Sequence, residues 1–212
     1  MFVHDCMTHD PITVRPDSDP LAGVALLKAC GFRHLPVVET DGSLVGIVSR
    51  TDLESFLAEA ESPGILKRQH RVDQAMTREA VTVPPDCPLE EAAGRMMDEK
   101  ISSLPVVQEG KVVGIVTETD IFRQLAAMLG RGSDSLRLTV QVPHVPGQFA
   151  RLAGCIAETQ GNITSFVAHT AGEPGRINAT VRVEGADRQR LLDALASLPQ
   201  VHVLHDWEAE LA

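Results

Sequence analysis

The chain has 212 residues, a formal net charge of −10, 43% apolar residues and 3% aromatic ones. That length allows one large core or two small ones. An acidic chain gains nothing from counterion release, which argues against nucleic acid as a partner, and it disfavours anionic membrane surfaces. Tyrosine is absent, so stacking platforms for single strands are not expected. No apolar run approaches the roughly 20 residues of a membrane span, and Met1 to Asp10 shows no basic-then-apolar signal pattern. Cys6, Cys30, Cys87 and Cys155 form no C-x-x-C pair, which points to a reducing cytoplasm rather than a disulfide framework.

In chain order, the first feature is a segment that returns. The stretch from Met7 to Leu53 recurs from Met76 to Ile121, displaced by about 68 or 69 residues. Met7-Thr8 returns as Met76-Thr77, Pro16-Asp17 as Pro85-Asp86, Leu35-Pro36-Val37-Val38 as Leu104-Pro105-Val106-Val107, and Gly46-Ile47-Val48 as Gly114-Ile115-Val116. The period is too long for a solenoid unit, so each copy reads as a small module. Ile12-Thr13-Val14 predicts a short strand before a Pro-Asp turn. Leu89, Ala92, Ala93, Met96 and Met97 mark one helix face. Leu35 to Val38 and Leu44 to Val48 predict two strands joined at Asp41-Gly42. A second helix carries Ile121, Phe122, Leu125 and Leu129 in copy two. The order is βαββα, and Glu61 to Arg71 joins the copies.

The repeat ends at Gly130-Arg131-Gly132-Ser133-Asp134, a polar glycine-containing stretch that reads as a linker. A new series follows: a strand over Leu136 to Val142, a loop over Pro143 to Gly147, and a helix with Phe149, Leu152, Ala153 and Ile156 on one face. A strand from Ile163 to His169, a loop at Gly172 to Gly175 and a strand from Ile177 to Val183 come next. A helix with Leu191, Leu192, Leu195 and Leu198 and a strand from Val201 to Trp207 complete a βαββαβ order, the ferredoxin-like one. The expected fold class is α+β, with module one at 1–68, module two at 69–130, a linker at 131–135 and a third domain at 136–212.

The motif best suited to binding is Gly46-Ile47-Val48-Ser49-Arg50-Thr51-Asp52, repeated as Gly114-Ile115-Val116-Thr117-Glu118-Thr119-Asp120. Each stands where a strand enters a helix, a corner whose free N–H groups and dipole attract anions. The aspartate carboxylate suits two ribose hydroxyls, the Ser49 or Thr117 hydroxyl suits a sugar or phosphate oxygen, and the glycine lets a ring approach the backbone. The same residues also satisfy a capping box, which needs no ligand.

With their flanking Leu-Pro-Val-Val and Gly-Ile-Val, residues 7 to about 127 resemble a tandem pair of CBS domains. The resemblance implies two pseudo-symmetric modules with clefts for adenosine derivatives: AMP, ADP, ATP or S-adenosylmethionine. It implies that Asp52 and Asp120 hold ribose and that Ser49 and Thr117 touch ribose or phosphate. Thr13 and Thr82, with the backbone before Pro36 and Pro105, would line the adenine pocket. Thr51 and Thr119 belong to the same corners. Copy one adds Arg33, His34 and Arg50 where copy two has Ser102, Ser103 and Glu118, so the Asp52 site is expected to prefer a phosphorylated ligand.

Residues 136 to 209 resemble an ACT domain. The resemblance places an amino-acid site at the loop His144, Val145, Gly147 and Gln148 together with Asn162 and Ile163, at a dimer interface. His144 stands where the family commonly has Asp, and a dimerisation module without ligand is the alternative. The domain order resembles bacterial CBS–ACT regulators of the acetoin-utilisation type. This implies a non-catalytic homodimer that needs no cofactor, takes an adenine nucleotide as regulatory ligand and acts on a target protein. The helix from Asp120 to Leu129 and the linker to Ser133 form the expected moving part.

Several weaker signals have bland readings. His4, Cys6 and His9 are too few for structural zinc, and a frayed terminus is expected there. No metal site or catalytic constellation is expected. His202 and His205, three apart on a strand, should face opposite ways. Lys67, Arg68, His70 and Arg71 read as a solvated join or as a phosphate clamp. Met96, Met97 and Met128 should fill core.

Overall fold

The computed structural model describes residues 1–60, 70–170 and 172–208, with the side chains of Ala60 and Glu208 excepted. The join at 61–69, including Lys67 and Arg68, lies outside the described residues. The chain divides into two compact units, Met1–Phe122 and Arg123–Ala212.

In the first unit, copy one comprises β1 (Thr8–His9), α1 (Pro20–Cys30), β2 (His34–Val38), β3 (Leu44–Ser49) and α2 (Arg50–Ala60). Helix α1 starts where the Asp19 carboxylate accepts from the Leu21 N–H, with Pro20 opening the first turn, and stops at Gly31 at φ 69°. Strands β2 and β3 pair antiparallel, Leu35 opposite Val48 and Val37 opposite Gly46, with a bulge between Val37 and Val38. The turn between them has Gly42 at φ 86°, and Asp41 accepts from the Ser43 N–H at 3.0 Å. Copy two repeats the plan as α3 (Leu89–Glu99), β4 (Ser103–Gln108), β5 (Lys111–Thr117) and α4 (Glu118–Met128). The strand expected at Ile12 to Val14 forms only a bridge, Val14 beside Val37. Of the methionines expected in the core, Met96 is buried, whereas Met97 is 78% and Met128 51% exposed.

The copies exchange their leading segments. Thr8 pairs with Ile115 and His9 with Gly114, so β1 joins the sheet of copy two, and Thr77 pairs with Ile47 of copy one. Val3, Cys6 and Met7 pack with Val83, Leu104, Val106 and Val116 of copy two. Val72, Ala75 and Met76 pack with Leu35, Val37 and Val48 of copy one. The expected boundary at 68/69 therefore runs between sequence copies, not between cores. The frayed N-terminus is also corrected: Val3 is fully buried, and its N–H donates to the Cys87 carbonyl at 2.9 Å. The crossing explains the glycines of the repeated motif. A Cβ on Gly46 would stand 2.6 Å from the Thr77 carbonyl oxygen, and one on Gly114 would strike the Met7 thioether. Gly46 and Gly114 are small to admit the other copy's Met-Thr segment, rather than a ligand ring.

In the second unit β6 (Leu136–Pro143), α5 (Gln148–Glu158), β7 (Asn162–Thr170), β8 (Arg176–Glu184), α6 (Arg188–Ser197) and β9 (His202–Glu208) follow in order. They form one antiparallel sheet, β7-β8-β6-β9. Leu138, Val140, Val181 and Val183 of the sheet meet Leu152, Ile156, Leu191 and Leu195 of the helices. This alternation on β6 leaves Arg137, Thr139 and Gln141 on the helix-free face. The register between β6 and β9 slips at Thr139/Val140: His205 opposes Thr139 and His202 opposes Gln141. The bulge places His202 and His205 on the same face, against the expectation from simple alternation.

The stretch expected as a linker is built structure. Helix α4 ends in a Schellman turn, with the Arg131 N–H on the Ala126 carbonyl, the Gly130 N–H on the Ala127 carbonyl, and Gly130 at φ 73°. Buried Arg182 on β8 donates to the Leu129 carbonyl at 2.7 Å and to the Ser135 hydroxyl at 3.2 Å, and lies over the Trp207 ring. Ser165 donates to the Met128 carbonyl at 2.8 Å. Residues 128–135 are thus fastened to the sheet of the second unit. Among the described residues no helix is long and apolar enough to cross a membrane.

Candidate ligand site

Each repeated corner folds as a reciprocal capping box. At the first, the Ser49 N–H donates to Asp52 Oδ2 at 2.9 Å and the Asp52 N–H donates to Ser49 Oγ at 3.1 Å. At the second, the Thr117 N–H donates to Asp120 Oδ2 at 3.0 Å and the Asp120 N–H donates to Thr117 Oγ1 at 3.3 Å. The Thr117 hydroxyl also lies 2.7 Å from Asp120 Oδ2. The box satisfies two N–H groups that a helix start leaves without a partner. At the first corner it engages Asp52 Oδ2, and the second carboxylate oxygen makes capping and ligand holding compatible there.

A cavity of about 260 Å³ opens in front of the first corner. Copy one supplies His34, Ile47, Ser49 and Asp52; copy two supplies Thr77, Glu79, Ala80, Val81, Lys100, Ile101, Ser102, Ser103 and Pro105. The cleft therefore belongs to both copies, which follows from the crossing of Met76-Thr77 onto β3. Of the residues singled out in the sequence, His34, Ser49, Asp52, Ser103 and Pro105 gather here.

The others do not line this cavity. Arg33 and Arg50 are exposed on copy one, and the Arg33 carbonyl accepts from the Arg50 N–H at 2.9 Å. Thr51 is exposed on the first turn of α2 and Thr119 on that of α4. Thr13 and Pro36 stay within copy one, where Val14 N–H donates to the Pro36 carbonyl at 3.1 Å. Thr82 gives its carbonyl to Arg95 at 3.1 Å, and Ala80 and Val81 take the wall expected of it. Thr117 and Asp120 occupy the second corner. Glu79 and Lys100 escaped the sequence reading, and Ser102 entered it only as the counterpart of Arg33. The repeat aligned each copy with its own corner, whereas the chain crossing brings the opposite copy's loops to it.

His34 sits half-buried at the edge of this cavity. Burial lowers its pKa from the usual imidazole range, the Arg33 guanidinium lowers it further, and Asp52 and Glu118 pull the other way. The imidazole is accordingly neutral near pH 7.

A second cavity of about 400 Å³ lies at the start of α5, lined by Pro143 to Ala150 and Ile177. His144, Val145, Gly147 and Gln148 are all on its wall. Asn162 and Ile163 are not. Ile163 opposes Val183, which opposes Leu136, while the loop leaves the sheet at Pro143, opposite Arg176. Seven residues of strand, roughly 23 Å, separate these ends, so one chain does not bring the six residues together.

Two interlocked α+β copies sharing a polar cleft at a strand-to-helix corner define a paired two-copy module. The chain belongs to the CBS domain family, which matches residues 3–59 and 72–127. Among solved structures it is similar to an acetoin utilization protein (AcuB) from Vibrio cholerae, at 30% identity and a TM-score of 0.55, over 61% of this chain and 93% of that one. It also resembles the CBS domain pair of protein MJ0100 in complex with 5′-methylthioadenosine and S-adenosyl-L-methionine, at 32% identity and a TM-score of 0.53, over 59% and 99%. CBSX2 in complex with AMP matches at 29% identity and a TM-score of 0.54, over 60% and 97%. Among curated sequences, the homoserine O-acetyltransferase of Methanohalobium evestigatum is 35% identical over 125 residues, which is 58% of this chain but 24% of that enzyme. The chain thus spans about a quarter of that enzyme's length. A CBS domain-containing protein of Dictyostelium discoideum is 31% identical over 136 residues and matched over 94% of its length.

Proposed function

We propose that this protein is a non-catalytic regulator whose CBS pair binds an adenosine-containing ligand, and whose C-terminal unit is an ACT-type module. The observation that carries the first part is the cleft at Asp52. It combines a capped carboxylate with a free oxygen, a serine hydroxyl, and a wall of Ala80, Val81, Ile101 and Pro105 from the opposite copy. Carboxylate and hydroxyl suit a ribose, and the apolar wall suits a purine. Solved relatives of similar fold hold AMP, or 5′-methylthioadenosine with S-adenosylmethionine. The Asp120 corner, built the same way, is the second site.

The test is a thermal-shift panel on the whole chain. AMP, ATP, 5′-methylthioadenosine or S-adenosylmethionine at about 100 times its dissociation constant adds about 2.7 kcal/mol of stability. Asp52→Asn removes the component that belongs to this cleft. No stabilisation by any of them overturns the reading.

A second reading is supported by the cavity at the Pro143–Gly147 loop. The βαββαβ order and the β7-β8-β6-β9 sheet suit a ferredoxin-like ACT module. Asn162 at the far end of the sheet can meet this loop only from a second copy, so amino-acid binding in this unit requires a homodimer. Stabilisation by an amino acid alone, with the CBS pair as scaffold, favours this reading. A cytoplasmic location and a target protein that receives the signal complete the proposal.

A further inference from the structure

The charges at the Asp52 cleft discriminate among adenosine ligands. Its wall carries two carboxylates, Asp52 and Glu79, and one ammonium, Lys100. His34 contributes no charge near neutral pH, for the reasons given above. Arg33 and Arg50, which the sequence places beside Asp52, do not line it. The cleft therefore has a net charge of about −1 with both signs on its rim. Among the described residues, a 5′-phosphate, at about −1.5 to −2, meets repulsion from Glu79 and finds a single flexible ammonium and no guanidinium fork on the lining. An adenosine whose 5′ arm carries an ammonium and a carboxylate finds a partner for each, Glu79 for the cation and Lys100 for the anion.

The copies differ at these positions. By the repeat, Glu79 corresponds to Asp10, Lys100 to Gly31, and Ser102 to Arg33. The ammonium is thus peculiar to copy two's loops, which face Asp52, while the carboxylate has a counterpart in Asp10. Lys100 holds the left-handed C-cap of α3 at φ 55°, so its place on the rim is set by a helix end.

We propose that the Asp52 cleft selects an adenosine with a cationic, amino-acid-like 5′ arm over one with a 5′-phosphate. This rests on the adenosine reading above and deepens it. Calorimetry of the whole chain in an Asp120→Asn background, which isolates the Asp52 cleft, uses three probes: S-adenosylmethionine, AMP and the uncharged 5′-methylthioadenosine. S-adenosylmethionine is expected to bind at least tenfold tighter than AMP. Glu79→Gln, an exposed loop change, should weaken S-adenosylmethionine and tighten AMP, narrowing the ratio at least fivefold, and leave 5′-methylthioadenosine within about twofold. If 5′-methylthioadenosine binds but AMP equals or exceeds S-adenosylmethionine, or if Glu79→Gln leaves the ratio unchanged, the selectivity proposal is overturned. If none of the three binds, the adenosine reading itself fails.

Discussion

The two copies share a backbone plan and a capping box, yet they face different chemistry. Copy one's corner looks onto Glu79, Lys100 and two serines. The loop that copy one offers in return has Asp10, Gly31, Arg33 and His34 at the matching positions. The difference arises because the leading segments cross. Once Met7-Thr8 and Met76-Thr77 each lie on the other copy's third strand, neither module owns its site. Duplication supplies two similar corners; exchange lets each one's surroundings diverge independently of its own fold.

The largest expected effect breaks that exchange. Val3 and Val72 are both fully buried, each in the other copy's core. Val72→Ala and Val3→Ala should each cost about 2 kcal/mol or more in urea unfolding. Hydrogen exchange should place the damage of Val3→Ala in α3, β4 and β5, and that of Val72→Ala in β2 and β3. Damage confined to each mutated residue's own sequence copy would refute the interlocked architecture.

Next in size is the fastening of residues 128–135. A tether would tolerate loss of Arg182, but a clamp would not. Arg182→Gln removes charge-assisted bonds to Leu129 and Ser135 from a buried site, a loss of about 2 kcal/mol. It should also speed amide exchange at Gly130 and Arg131. Unchanged exchange there would restore the linker expected from Gly130 to Asp134.

How much of this was legible in the sequence depends on the range of the interaction. The repeat, the strands at Leu35 and Leu44, and the strands and helices of the second unit follow from local periodicity. The observed ends of these strands lie within a residue or so of expectation, because alternation is read over a few residues. What escaped is non-local. Val3 pairs with a core some 80 residues on, although the shared pattern Val-x-x-x-Met-Thr at Val3 and Val72 carried the signal. Arg182 fastens a stretch whose glycines and serines read as flexible, and the β9 bulge reversed the facing of one histidine. In the site, Ser49 and Asp52 were legible as a motif. Glu79 and Lys100 were not, since the crossing that brings them in is a tertiary fact.

A smaller effect separates cap from ligand. Ser49→Ala and Thr117→Ala each remove a hydroxyl that accepts a helix-start N–H, for about 1 kcal/mol apiece without any ligand. The Thr117 cap should contribute somewhat more than the Ser49 one, because its hydroxyl also donates to Asp120 Oδ2. Adenosine-ligand affinity at the Asp52 cleft should fall only with Ser49→Ala, measured by calorimetry. An equal affinity loss with Thr117→Ala would show that the two corners act as one site.

The smallest effect concerns His34, the one side chain of copy one's charged trio that reaches the cleft. Its pKa is lowered in the folded chain, by burial first and by Arg33 second, with Asp52 and Glu118 opposing. On acidification the unfolded chain, near the ordinary value of about 6.5, takes the proton before the folded one does. Stability attributable to His34 therefore falls as pH drops through that value, and levels off below the folded pKa. His34→Ser installs the residue found at the matching position of copy two, Ser103. The wild type minus His34→Ser difference in unfolding free energy should change between pH 7.5 and 5, in the direction of wild-type loss at low pH. It should do so without ligand, because burial and Arg33 set the shift. A difference that stays flat across this range would mean that the imidazole is solvated as freely as an exposed one.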